Sequence, residues 1–167
     1  MRYILFRGKP TREVLENESL CKTLPIKDGF VYGNLIYNDK QPYIVGPIAD
    51  VNDEYCSMEW WCPVVKETVG QFTGLHDATK WEDLTDAERY EWIKSGHTKE
   101  HWKGRRIFEG DIVHIDNYDE GWDSVVEFNG GAFAVDVEGR DYDYTAIGWT
   151  EIIIGNIHDN QELLEEA

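Results

Sequence analysis

Residues 106–115 read RIFEGDIVHI, and the fold turns on how this stretch is interpreted. Ile107-Phe108 runs into Glu109-Gly110, and residues 111–116 (DIVHID) then mix apolar and polar side chains in the alternation of a strand. Gly110 can take a backbone conformation closed to other residues, which turns the chain into the strand at Asp111. The Asp111 carboxylate can hydrogen-bond the local amides of that turn. Either Ile112 and Ile115, or Val113 and Ile115, then face inward. Both Gly110 and Asp111 are read as structural residues.

Moving toward the C-terminus, residues 124–128 and 132–137 flank Asn129-Gly130-Gly131, a tight-hairpin signal. Residues 149–157 contain Ile152-Ile153-Ile154, which predicts a well-buried strand, and residues 161–167 read as a short acidic tail or frayed helix. Moving the other way, the spacing between His76 and Lys103 turns helical. Thr85 and Glu88 have the separation of a capping box, and Ala87, Tyr90 and Ile93 recur every three residues as one apolar face. Gly96 predicts the stop of that helix, and Thr98 caps a second short one reaching Trp102. Further upstream, residues 3–7, 30–37, 42–45 and 64–72 read as short strands. The middle two form a hairpin, and Trp60-Trp61 with Pro63 makes residues 55–65 an interrupted or edge strand. Short strands at this spacing argue for a small barrel or sandwich.

Composition narrows the function. Of 167 residues, 41% are apolar, with seven Trp and nine Tyr, so the chain folds despite its charge. The formal net charge is −17, and it is unevenly placed: from Glu109 onward sixteen acids face Arg140 alone, leaving −15 for that third. Nucleic-acid binding needs Lys and Arg to displace counterions, so the region disfavours it, and a basic partner, or none, fits better. No apolar run is long enough to span a bilayer, and the N-terminal one is too short for a signal peptide. Cys21, Cys56 and Cys62 form no disulfide pattern, which points to a reducing cytoplasm.

A set of motifs runs along the chain: Gln71-Phe72-Thr73-Gly74-Leu75, then Ile107-Phe108-Glu109-Gly110-Asp111-Ile112-Val113, Ile154-Gly155-Asn156, and Asn160-Gln161-Glu162-Leu163-Leu164. With Ile4-Leu5-Phe6-Arg7-Gly8-Lys9 and Val31-Tyr32-Gly33, this set resembles the YopX family of phage and prophage proteins over nearly the whole chain. The resemblance implies a mostly β fold, a small SH3-like barrel or roll. An additional N-terminal β region (residues 1–75) and a short helical insertion (76–104) precede the acidic SH3-like region (105–167), the three expected to make one compact unit. In many relatives the QFTGL-type and IFEGDIV-type segments are separated by only a few turn residues, whereas here the insertion parts them. The resemblance also implies self-association and supplies no catalytic residues. The setting it implies is the cytoplasm of a bacterial host.

Chemical motifs are sparse. His97-Thr98-Lys99-Glu100-His101 matches the H-x-x-E-H pattern of zinc hydrolases, with His97 and His101 as ligands and Glu100 activating water. It follows Gly96, where a helix is only starting, so solvated surface residues are the better reading. The cysteines lack C-x-x-C spacing, and the acidic loop Asp116, Asp119, Glu120 and Asp123 lacks the ligand order of a calcium loop. No metal, cofactor or catalytic residue is assigned. Most of the tryptophans are expected in the core or as interface anchors. Asp136, Glu138, Asp141 and Asp143, with Tyr142 and Tyr144, make an acidic stretch that could imitate a DNA backbone toward a basic protein. The expectation is a non-catalytic protein-interaction module that binds itself or a basic host or phage protein, with no direct nucleic-acid or membrane contact. The alternative is an acidic inhibitor of a basic nucleic-acid-binding host protein, and a zinc-dependent hydrolase is the remote one.

Overall fold

The computed structural model describes residues 3–116, 121–136, 144–148 and 151–165. Strands dominate it, and the chain divides into two compact units, Met1–Phe72 and Thr73–Ala167.

In the first unit β1 (Phe6–Gly8) pairs antiparallel with β2 (Val31–Asn38), and β2 forms a hairpin with β3 (Gln41–Val45). Further along the chain come β4 (Ile48–Val51), β5 (Cys56–Met58), β6 (Trp61–Pro63) and β7 (Gly70–His76). The sheet order is β6-β3-β2-β1-β7, which puts the Pro63-bearing strand at an edge, where a missing backbone donor costs no ladder bond. β4 and β5 pair only with each other, as a separate two-stranded arm. Two helices went unforeseen: α1 (Arg12–Glu16) and α2 (Glu18–Thr23). Asn17 caps α2, its side chain accepting from the Leu20 amide at 3.2 Å. α1 sends Val14 into a core of Val31, Ile44, Cys62 and Val64.

In the second unit, α3 (Asp86–Lys94) is followed by β8 (Arg106–Phe108), which lies beside the second half of β7; the Thr73 hydroxyl donates to the Ile107 carbonyl at 2.9 Å. β9 (Asp111–Ile115) is central to a sheet of order β10-β9-β14, with β10 spanning Trp122–Val125 and β14 spanning Ile152–Asn156. A second sheet has the order β11-β12-β13: Glu127–Asn129, Ala132–Asp136 and Tyr144–Ala146. The strand expected over residues 124–128 is therefore two strands in two sheets. The corner between them is Val126, fully buried, whose amide donates to the Asp111 carbonyl and whose carbonyl accepts from Gly110, both at 2.8 Å. Ile107, Val113, Ile115, Val126, Phe133, Val135 and Ile147 form one core shared by both sheets. All sheets are antiparallel, and among the described residues none closes into a barrel.

The deciding turn has the structure its residues dictate. Gly110 has φ 84°, and Asp111, 2% exposed, accepts the Phe108 amide on Oδ2 at 2.7 Å. Val113 and Ile115 enter the shared core, while Ile112 is buried outside that cluster, so both faces of β9 are covered. The Gly130-Gly131 hairpin joins β11 to β12 with Asn129 opposite Ala132. Two expectations fail. β14 is an edge strand with a bulge between Ile153 and Gly155, which leaves Ile152 and Ile154 exposed instead of buried. In α3 the apolar series Tyr90 and Ile93 faces solvent, at 63% and 51% exposure; Glu88, Arg89 and Trp92 occupy the packed side. Among the described residues no helix is long and apolar enough to cross a membrane.

Candidate functional site

The second unit holds a groove of about 770 Å³ whose walls come from the end of β7, the turns around α3, and Ile147-Gly148. Its geometry is built from Asp77. That side chain is 4% exposed, and its two oxygens accept four hydrogen bonds. Oδ1 takes the Thr79 amide (3.1 Å) and the Arg105 amide (2.7 Å); Oδ2 takes the Thr79 hydroxyl (2.8 Å) and the Ile153 amide (3.2 Å). A buried carboxylate so supplied locks three chain segments together, because each donor would otherwise be unsatisfied. Gly104 is required beside it: its φ is 104°, and a Cβ there would lie 2.0 Å from the Asp77 carbonyl oxygen.

The helical insertion hangs on this hub through aromatic side chains. Trp102 donates its indole N–H to the Thr79 carbonyl at 2.9 Å and meets Trp81 and Trp92 edge to face at 6.3 and 5.1 Å. Thr85 and Glu88 make the expected capping box, with the Thr85 amide donating to Glu88 Oε2 at 2.8 Å. Glu88 also accepts from Arg105 at 2.8 Å. Burial pushes the Glu88 carboxyl up, but the Thr85 amide and the Arg105 guanidinium outweigh it and hold it at about 2.

Lysines gather at the groove of an otherwise acidic protein. Lys80, Lys99 and Lys103 line it with Trp81 and Trp102; Asp77 is buried in its wall, and the buried Glu151 carboxylate accepts the Gly148 amide at 2.7 Å. Lys99 pairs with Glu82 at 2.7 Å, while neither Lys80 nor Lys103 has a carboxylate within ion-pair distance among the described residues. Burial, then Arg106 and Lys103, push the His76 imidazole below the usual range, while the Asp77 carboxylate pulls the other way. None of these groove residues was singled out as a site from sequence. The signal available was the pair of dipeptides Lys80-Trp81 and Trp102-Lys103, each a cation beside an aromatic, bracketing the insertion.

The residues that were singled out have other placements. His97 stacks on Trp92 at 4.3 Å with Nδ1 against the Ser95 hydroxyl, and His101 Nδ1 accepts the Thr98 amide. Glu100 is exposed, its carboxyl lowered chiefly by the Thr98 side chain. Residues 99–101 form a 3-10 turn, so the helical face that a zinc pair needs is missing there, and the described residues hold no cluster of three metal-ligating side chains. Cys21 and Cys56 are free thiols, and Cys62 is buried, its thiol pushed up to about 11 by desolvation and the nearby Cys21. Of the acidic loop, Asp123 accepts from His114 Nδ1 at 2.6 Å and Asp116 is exposed; residues 119 and 120 lie outside the described residues. Of the acidic stretch, Asp136 is exposed at the end of β12, and Glu138, Asp141 and Asp143 lie outside the described residues. The backbone at Asp136 is anchored, its amide donating to Ser124 Oγ and its carbonyl accepting from the Trp122 indole, both at 3.0 Å.

Comparison with known proteins gives the C-terminal part a family. The family model described as YopX protein matches residues 101–165, which takes in β8 to β14 together with Trp102, Lys103, Ile147 and Gly148 of the groove. The QFTGL segment and the rest of the insertion precede the matched residues. The chain is also 41% identical over 71 residues to the SPbeta prophage-derived uncharacterized protein YopX of Bacillus subtilis (strain 168). That match takes in 38% of this chain and 53% of the relative, so the chain spans about half the length of the curated relative it matches. Over residues 101–165 the chain is thus similar to the YopX family.

Proposed function

We propose that the chain is a prophage-encoded accessory protein of the bacterial cytoplasm that acts by binding protein, itself included, and performs no chemistry of its own. The observation that carries this reading is the open groove of the second unit, where tryptophans and lysines meet at the surface. Tryptophans around a concavity are what protein interfaces use as anchors, with the lysines offering charge complementarity to an acidic partner, whereas catalysis needs convergent acid, base or nucleophile groups. Asp77, the buried carboxylate there, is committed to four structural donors. The two three-stranded sheets around one core support the SH3-like reading of the second unit.

A second reading has its own support in the −15 charge from Glu109 onward: an acidic inhibitor that occupies the groove of a basic, nucleic-acid-binding host protein through Asp136, Glu138, Asp141 and Asp143. Tagged protein is used to capture partners from nuclease-treated bacterial lysate, beside a variant with those four residues changed to Asn or Gln. A basic protein held stoichiometrically by the parent and lost by the variant establishes the inhibitor. Recovery of further copies of the chain alone supports the self-binding module, and a single chain with no bound protein refutes both.

A further inference from the structure

We propose that the groove flanked by Trp81 and Trp102 receives the acidic segment 136–143 of a second copy of the chain, so that copies associate head to tail. This rests on the interaction-module reading and names its site. The first argument is charge. A protein carrying −15 on one third repels its own copies unless a cationic surface receives that third. Lys80 and Lys103 lie on the groove with no ion pair among the described residues, and the Asp77 carboxylate is buried with its oxygens taken by four donors.

The second argument is shape and side-chain type. Residues 136–143 read DVEGRDYD, four acids against Arg140, with an aromatic ring and a glycine that permits a turn. The groove offers the matching pair, lysines for the carboxylates and two indoles for Tyr142. About 770 Å³ accommodates several side chains but no folded domain. The segment also leaves from a fixed point, because both backbone groups of Asp136 are hydrogen-bonded to β10 side chains. Groove and segment are different patches of one chain, which makes the contact heterologous and leads to a ring or an open chain of copies.

The test uses charge exchange in the full-length protein, followed by sedimentation velocity at low and moderate salt. K80E/K103E reverses the groove, and D136K/E138K/D141K/D143K reverses the segment; circular dichroism checks that each folds. Each variant alone is expected to associate about tenfold or more weakly than the parent. An equimolar mixture restores association, since every segment then faces a groove of opposite sign. Parent-like assembly by K80E/K103E overturns the site while leaving the module reading intact. A parent that sediments as a single chain at all concentrations overturns the self-binding as well. Loss in both variants without rescue on mixing overturns the pairing of groove with segment.

Discussion

Asp77 shows how much of the second unit depends on one side chain. Its oxygens serve the Thr79 turn, the entry to β8 and the start of β14, so removing them strands four donors at once. Asp77→Ala is expected to destabilise by about 3 kcal/mol in urea denaturation, with Asp77→Asn retaining part of that. Gly104→Ala acts on the same spot from the other side, and a loss of at least about 2 kcal/mol is expected because both φ and the Asp77 carbonyl oppose a Cβ. Glu88 gives a pH signature. Its carboxyl lies below its ordinary value in the folded chain, so its contribution is full above about pH 4.5 and is lost as pH falls toward about 2. The group is 40% exposed, so screening holds the effect to less than about 1 kcal/mol. Urea midpoints of Glu88→Gln and the parent are expected to converge across that acid window. Asp111 and Gly110 were legible in sequence because the positive φ of Gly110 and the bond from the Phe108 amide to the Asp111 carboxylate are local features. Asp77 was not, since two of its donors, the amides of Arg105 and Ile153, are 28 and 76 residues away.

At the level of elements, the start of α3 was legible and its buried face was not. A capping box is a contact between residues three apart, so spacing reveals it. The packed face is set by Trp92 with the polar Glu88 and Arg89, because the helix docks through indole contacts and the Arg105 bridge and not through an apolar stripe. Substituting Tyr90 or Ile93 by Ser is therefore expected to change stability by less than about 0.5 kcal/mol, whereas Trp102→Ala costs about 3 kcal/mol and loosens the insertion. Thermal melts of the three variants check the ranking. The strands at Val31–Asn38 and Gln41–Val45 were legible from their hairpin. α1 and α2, at five and six residues, are too short for a helical period to register. Ile152 and Ile154 misled because an apolar run does not reveal that its strand lies at an edge with a bulge.

For the whole molecule, charge is the governing quantity. The acidic third was plain in the sequence, while the lysine-rimmed groove exists only after Gly74–Trp81 and Lys99–Lys103 converge. Segments eighteen or more residues apart make that surface, so no local motif announces it. The proposed pairing of the acidic stretch with the lysine-lined groove predicts self-association that weakens with salt, as exposed charge pairs are screened over about 10 Å at 0.1 M ionic strength. The measurement that tests this most directly is the molar mass of the untagged full-length chain by light scattering coupled to size-exclusion chromatography, over a concentration series and at two salt strengths. A mass above that of one chain at low salt, falling as salt rises, is the expected result. The mass of one chain at every concentration and both salts would contradict the account.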